Sequence, residues 1–298
     1  MRLTALFPAL CCSVALVLSF LCLFAGHKRN FMENYHMVTL NTSRIGENLL
    51  NSSNVSLFNN PFFNFLNNIT NTINGDIDNA IGDLAHEFGV EDFYSAHLMD
   101  YCFGTYVPTA LANATVSNKD IHKNVTGCSN QTAMFNFDPT AALQKSLDES
   151  GIPITLKDLN WPTQIEQGIH DVQILYHVAF VLYCISIGLS FIGLLTALLA
   201  VFANGRLAAV VNIVVTTLAF VILLLVSAII TAAIVRSSNV INDYGKPIGV
   251  DAHRGGKFLA ITWAATAVMF IAIFAWCAEC IIVHRRRRSS TYVGGKHG

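Results

Sequence analysis

The sequence predicts an all-α membrane protein, a four-helix transmembrane bundle with a large glycosylated, disulfide-containing first extracellular loop. Four long apolar stretches divide the chain, which is the first observation behind this prediction. The second is composition: 53% of the residues are hydrophobic and 12% are charged, as in membrane proteins. The third is that every Asn-x-Ser/Thr sequon lies between the first and second apolar stretches.

The four apolar stretches, which we number span one to span four, are each longer than the roughly 20 residues that cross a bilayer. Their excess length indicates tilt or extension beyond the hydrocarbon region. They cover residues 3–26, 174–203, 207–235 and 258–283.

The sequons predict which side of the membrane each segment faces. Because oligosaccharide is added only on the lumenal side, the segment 27–172 is predicted to be extracellular. Four crossings then leave residues 1–2, a turn at 204–206 and a tail at 284–298 in the cytosol, with a short extracellular loop at 236–257. The seven sequons begin at Asn41, Asn51, Asn54, Asn68, Asn113, Asn124 and Asn130.

Charge supports this orientation, because Lys and Arg accumulate in short cytosolic segments. Seven basic residues lie on the predicted inside, against four in the short outer loop. The flank His27-Lys28-Arg29 opposes the rule, so the sequons carry more of the argument. The long outer segment holds seven basic and sixteen acidic residues, a net charge of −9, so the near-neutral total conceals an acidic outside and a basic inside.

A cleaved signal peptide is the alternative for span one, since Arg2 precedes an apolar run that ends in Phe24-Ala25-Gly26. The run exceeds the usual apolar region of such peptides. A bulky Leu23 or Phe24 would also occupy a cleavage position that requires a small residue. We therefore predict a retained span, whereas cleavage would leave three spans and an extracellular N-terminus.

Spans two and three are predicted to form an antiparallel hairpin, because only the turn-forming residues 203–206 separate them. Small residues recur along one face of span two at alternating steps of four and three. Such stripes allow helices to approach closely in lipid. We predict helix packing for this stripe, with a self-association face as the alternative. Its members are Ser186, Ser190, Gly193, Ala197 and Ala200, followed by Asn204.

The long outer segment is predicted to fold as a domain with helices. Asp138-Pro139 has the N-cap and first-turn proline chemistry of a helix that reaches about Ser150. Pro162 predicts the start of another helix, which leads directly into span two as an outward stalk. An amphipathic helix is predicted from the three- and four-residue spacing of Leu66, Ile69, Ile73, Ile77, Ile81, Leu84 and Phe88.

Cys102 and Cys128 are the only cysteines outside the predicted spans. In an oxidising compartment an isolated pair is most simply a disulfide, and this one would close 25 intervening residues. The chain-entropy model gives roughly 3 to 4 kcal/mol for such a loop. Pairing between two molecules is the alternative.

Residues for catalysis or transport are not found in the sequence. Glu279, the only acidic residue in a span, lies about one turn from Arg285 and is predicted to extend toward it.

Cys277 and Cys280 lack a second ligand pair, so a buried structural role is predicted, with acylation as the alternative. The residues 188–192 miss the nucleophile-elbow pattern. We predict no catalytic residue, cofactor or metal, since the required HExxH spacing is absent from the cluster His86, Glu87, Glu91, Asp92 and His97.

Four segments stand out in the order VTLNTSRIG, DFYSAHLMDYCFGTY, GCSNQTAMFNFDP and GVDAHRGGKFLAITWAA. Together they resemble the fungal Sur-seven/PalI family of four-span plasma-membrane proteins. The resemblance covers nearly the whole chain, and its most specific part is the YC…CS…FDP combination. The architecture is also similar to that of claudins, a claudin-like tetraspan, although the tryptophan-containing claudin signature before the cysteine pair is missing.

The resemblance implies a non-enzymatic protein that organises cortical, eisosome-type domains of the plasma membrane, with links to endocytosis and cell-wall integrity. The alternative is a PalI-like accessory subunit of an ambient-pH-sensing receptor complex, although such members tend to have longer tails than the 15 residues after Val283. A transporter or enzyme has no supporting residue. The implied partners are membrane lipids, further copies of the chain, other cortical membrane proteins and cell-wall polymers.

The run Arg285, Arg286, Arg287 and Arg288 leaves span four into the anionic cytosolic leaflet. At about 1 kcal/mol per basic residue, four could contribute roughly 4 kcal/mol of lipid preference, for example for phosphoinositides. The alternative is that the arginines only fix orientation. The run is too short and too close to the membrane to indicate nucleic-acid binding.

Overall fold

A computed structural model describes residues 3–29, 31–45, 89–110, 115–151, 154–202 and 206–294, without the side chains of 3, 206 and 283–294. The described helices are α1 (Leu6–Phe24), α2 (Pro139–Ser150), α3 (Thr163–Phe202), α4 (Arg206–Gly245) and α5 (Gly256–Gly294). The described strands are β1 (Val38–Asn41), β2 (Phe93–Ala96), β3 (Tyr101–Val107), β4 (His122–Cys128) and β5 (Asp251–Arg254).

The four predicted spans are all helical. Helices α1, α3, α4 and α5 are long and apolar enough to cross a membrane, which confirms the helical tetraspan architecture. Helix α3 starts at Thr163 and continues without a break, as Pro162 predicts. Helix α4 runs to Gly245, beyond the predicted end of span three at Val235, so the short second loop begins as a helical extension.

The chain divides into two compact units, which are described separately. The membrane unit consists of Met1–Phe24, Val178–Ile230 and Phe258–Gly298. The loop unit consists of Ala25–His177 and Thr231–Lys257.

The membrane unit is held together by small residues and by hydroxyl groups. Tyr183 is hydrogen-bonded to Thr262, and Ser227 is hydrogen-bonded to Thr266 at 2.8 Å, so α3 and α4 both bond α5. These side chains are at most 4% exposed. Hydrogen bonds between helices satisfy polar groups that would be costly in hydrocarbon.

The loop unit contains a five-stranded antiparallel sheet, which the sequence analysis does not predict. The strand order is β4-β3-β2-β1-β5. Strand β1 comes from the first loop and β5 from the second, and their register pairs Val38 with Arg254 and Asn41 with Asp251. The helical fold class therefore holds for the spans, whereas the loop unit combines helices with this sheet.

One side chain and one glycine hold strand β5 in position. The Asn242 amide donates to the carbonyl of Ala252 at 3.0 Å and accepts from its N–H at 2.8 Å. At the end of β5, the N–H of Gly255 donates to the carbonyl of Met37 at 2.8 Å. A Cβ at Gly255 would lie 1.6 Å from the carbonyl oxygen of His36, so only glycine fits this close approach.

Helix α2 confirms the prediction made from Asp138-Pro139. The Asp138 side chain accepts a hydrogen bond from the N–H of Ala141 at 3.1 Å, and Pro139 occupies the first turn. Gly151 ends the helix in the left-handed conformation at φ 72°. The amphipathic helix predicted over 66–88 and the turn at 203–205 lie outside the described residues.

Candidate functional site

The Cys102–Cys128 disulfide joins β3 to β4 within one chain. The two cysteines are register partners in adjacent antiparallel strands, so the sheet places them opposite each other. Cys102 is fully buried and packs with Phe93 and Val125 in a small core. The bond therefore links the two strands beside this core.

The turn between β2 and β3 brings a histidine and an aspartate together beside this disulfide. The N–H of His97 donates to the carbonyl of Asp100 at 2.9 Å, which closes a four-residue turn. One potential ligand atom from each of His97, Asp100 and Cys102 lies within 4.8 Å of the others. The exposed fraction is 0% for His97 and 1% for Asp100.

Neither ring nitrogen of His97 and neither carboxylate oxygen of Asp100 has a hydrogen-bond partner within the described residues. Burial lowers the pKa of His97 to about 3 and raises the pKa of Asp100 to about 7. The Tyr35 backbone and the Gln131 amide lie close enough to oppose these pKa shifts, but neither has the geometry of a hydrogen bond. Buried polar groups normally have partners, so this pair is an exception.

Lys123 on β4 is a half-buried cation on the same sheet. Its Nζ donates to Thr39 Oγ1 at 2.7 Å and to Ser95 Oγ at 3.1 Å, and it lies 4.9 Å from the centre of the Phe93 ring. Burial lowers the pKa of Lys123 to about 8. Hydroxyls from two strands and an aromatic face therefore hold this amine, and the negative charge of Glu33 opposes the lowering of its pKa.

Three of the predicted glycosylation sites lie in the described residues. Asn124 and Asn130 are exposed, on β4 and just after it. Asn41 is half-buried at the end of β1, and its side-chain oxygen accepts hydrogen bonds from the N–H of Ser43 at 3.2 Å and the hydroxyl of Ser43 at 2.8 Å. The other predicted sites, Asn51, Asn54, Asn68 and Asn113, lie outside the described residues.

The small-residue stripe of span two is buried within the membrane unit. A Cβ at Gly193 would lie 3.6 Å from the Sγ of Cys12 on α1, an ordinary contact distance. The alanines of the stripe form a core cluster with Ala5, Ala9 and Trp276. Because the stripe packs inside one chain, it does not offer a free face for self-association. Its buried members are Ser186, Ser190, Gly193, Ala197 and Ala200.

Two predictions about span four are resolved differently by the structure. The Cys277 side chain is exposed and Cys280 is half-buried, so the predicted buried role is wrong for Cys277. Glu279 is buried, at 4% exposure, and its Oε2 has no partner within the described residues. The side chain of Arg285 lies outside the described residues, so the predicted approach of Glu279 to Arg285 stays a prediction.

The acidic cluster considered in the sequence is divided among structural roles. Glu91 Oε1 accepts a hydrogen bond from Thr126 at 2.8 Å, and Asp92 Oδ2 accepts one from the N–H of Tyr106 at 2.7 Å. His86 and Glu87 lie outside the described residues. Asp100, the neighbour of His97, is not among the residues predicted from the sequence, and its signal is the three-residue spacing within a tight hairpin.

Four apolar helices and a disulfide-linked sheet built from two inter-span segments define a multi-pass membrane protein. The chain belongs to the SUR7/PalI family, whose sequence profile matches residues 4–275. This match confirms the resemblance noted in the sequence. No curated protein and no solved structure gives a significant match.

Proposed function

We propose that the protein is a non-enzymatic integral protein of the plasma membrane that organises cortical, eisosome-type membrane domains, with links to endocytosis and cell-wall integrity. The observation that carries this proposal is the family match, because it extends from span one into span four and includes both loops rather than one motif. The packing is consistent with a scaffold, since buried hydroxyls of the spans bond one another across helices.

The proposed topology places both loops outside the cell and both termini in the cytosol. The sheet supports it, because β1 and β5 pair although spans two and three lie between them in the chain. Two crossings return the chain to the same side, as this pairing requires. The retained first span is supported by Ala5 and Ala9, which contribute to a core cluster of the membrane unit.

We expect an N-glycosidase to lower the apparent mass of the intact protein, because Asn124 and Asn130 are exposed on the proposed outer side. A tag fused after residue 298 should react with antibody only in permeabilised cells. Electrophoresis and surface labelling measure the two results. A C-terminal tag that is accessible on intact cells would contradict the proposed arrangement of spans two to four, which leaves the C-terminus in the cytosol whether or not span one is cleaved.

The proposed partners are lipids of the cytosolic leaflet, further copies of this chain or other cortical membrane proteins, and cell-wall polymers at the glycosylated surface. Four successive arginines at 285–288 supply the positive charge for anionic lipids such as phosphoinositides. Phosphorylation of the adjoining Ser289 and Ser290 would subtract charge from this run. The proposal therefore implies that the charge of the four arginines contributes to the partitioning of the protein between membrane regions.

A fluorescently tagged copy in living cells tests the function. We expect static cortical patches, and we expect replacement of the four arginines by glutamine to disperse them, because about 4 kcal/mol of attraction to anionic lipid is lost. Replacement by four lysines, which keeps the charge, is the matched control and should retain the patches. The topology of each variant is checked by glycosidase and tag accessibility.

Two results would revise the proposal. If the correctly inserted glutamine variant keeps its patches, the arginines serve orientation only. If the wild type itself is diffuse or endosomal, and its loss impairs growth at alkaline pH, the accessory role in pH sensing replaces the cortical role.

A further inference from the structure

The His97–Asp100 turn in the loop unit is not used by the proposed function, yet it has the composition of a metal site. We propose that His97 and Asp100 bind a divalent transition-metal ion of the zinc class in the disulfide-bonded protein. The inference does not depend on the proposed function.

The side chains of His97 and Asp100 have unmet hydrogen-bonding capacity. Both ring nitrogens of His97 and both carboxylate oxygens of Asp100 lack hydrogen-bond partners within the described residues, and both side chains are essentially inaccessible to solvent. An imidazole and a carboxylate with no partner are each costly to bury. A cation between them satisfies a nitrogen lone pair and a carboxylate charge at the same time.

The potential ligand atoms lie within 4.8 Å of one another. Ligands of a tetrahedral zinc ion are about 2.0 to 2.3 Å from the metal, and so roughly 3.5 Å from each other. The turn is fixed by the hydrogen bond between the His97 N–H and the Asp100 carbonyl, and it keeps one potential ligand atom of each side chain within 4.8 Å of the other, a limit that includes this separation.

A backbone carbonyl supplies a further oxygen at the same place. The carbonyl oxygen of Gly26 lies 3.4 Å from the Sγ of Cys102. Because that sulfur is in a disulfide, it has no proton to donate, and the contact is not a hydrogen bond. Gly26 has φ 81°, and a Cβ there would lie 2.4 Å from the His97 ring, so glycine is what permits this approach.

The donor set selects the class of ion. Imidazole nitrogen favours zinc, copper, iron and nickel, whereas a site for magnesium or calcium is built from oxygen alone. The disulfide removes the thiolate of Cys102 from the set. The structure therefore offers nitrogen and oxygen ligands rather than sulfur.

The experiment uses the full-length glycoprotein in detergent micelles, stripped of metal with a chelator and titrated with Zn²⁺ by calorimetry. We expect one ion per chain. His97→Gln and Asp100→Asn should each weaken binding by roughly 10-fold or more, because a ligand is lost and even an outer-shell partner contributes this much. The matched controls are His253→Gln and Asp251→Asn, since that pair lies in the same unit but is already joined at 2.9 Å and partly exposed.

A second measurement keeps the test valid if the variants do not fold. Chelation of the wild type should lower its melting temperature, and Zn²⁺ but not Mg²⁺ should restore it. Substitution with Co²⁺ should give visible absorption bands without a thiolate charge-transfer band. Absence of stoichiometric binding would show that the two side chains form only a buried His–Asp pair, and a thiolate band would assign the ion to sulfur; either result overturns the proposal.

Discussion

Removal of the Cys102–Cys128 disulfide is expected to lower the free energy of unfolding by about 3 to 4 kcal/mol. The bond joins β3 to β4 over a separation of 26 residues, and Cys102 lies in the core formed with Phe93 and Val125. Cys102→Ala and Cys128→Ala should each show this loss in thermal or denaturant unfolding of the purified protein. In cells, both variants should be retained in the secretory pathway.

The double variant distinguishes a bond within the chain from one between chains. Because either single change removes the same bond, we expect the double variant to be no less stable than the singles. Cys184→Ala, at an exposed free cysteine of the membrane unit, is the control and should leave stability unchanged. Additive losses, or wild-type dimers that dissociate on reduction, would contradict the intramolecular assignment.

Gly255→Ala is expected to separate β5 from β1 and to destabilise the loop unit by about 3 kcal/mol or more. The new Cβ would lie 1.6 Å from the carbonyl oxygen of His36 and 2.7 Å from its carbonyl carbon. Both atoms belong to the backbone, so no side-chain rotation relieves the clash. Proteolysis within 236–257 and thermal unfolding would measure the loss of the strand.

The adjacent residue provides a matched control. A Cβ at Gly256 meets nothing within 4 Å, and Gly256 begins helix α5. Gly256→Ala should therefore leave stability unchanged or raise it by a few tenths of a kcal/mol, because alanine favours helix. Equal behaviour of the two alanine variants would show that the close approach at Gly255 does not position β5.

The helices were predictable because their signals are local. The apolar length of each span, the Asp138-Pro139 cap and the Pro162 start each lie within a few residues of the structure that they specify, and α1, α2 and α3 follow them. The predicted end of span three at Val235 follows the fall in hydropathy there, whereas the backbone stays helical to Gly245. Hydropathy predicts which residues lie in an apolar environment, whereas backbone hydrogen bonds determine where the helix ends.

The sheet could not be predicted because its signals are short or distant. Strands β1 and β2 are four residues long and almost entirely buried, so they lack the alternation that marks a half-exposed strand. The partner of β1 on one side is β5, which lies after span three. A sequence without an alignment carries no local trace of such a pairing.

The candidate metal ligands were hidden for a similar reason. His97 was considered with the acidic residues that precede it, although Glu91 and Asp92 accept hydrogen bonds from Thr126 and Tyr106. Its actual neighbour, Asp100, follows it across a hairpin turn. The relevant distance is set by β2 pairing with β3, which the sequence analysis did not include.

The pairing of β1 with β5 has a consequence for synthesis of the chain. Residues 41 and 251 are register partners, so β1 stays an open edge until some 210 further residues have been made. At about 5 to 20 residues per second this wait lasts roughly 10 to 40 seconds. An unpaired edge strand invites association with other chains. The sheet is therefore completed only after α3 and α4, which lie between β1 and β5 in the chain, have been synthesised.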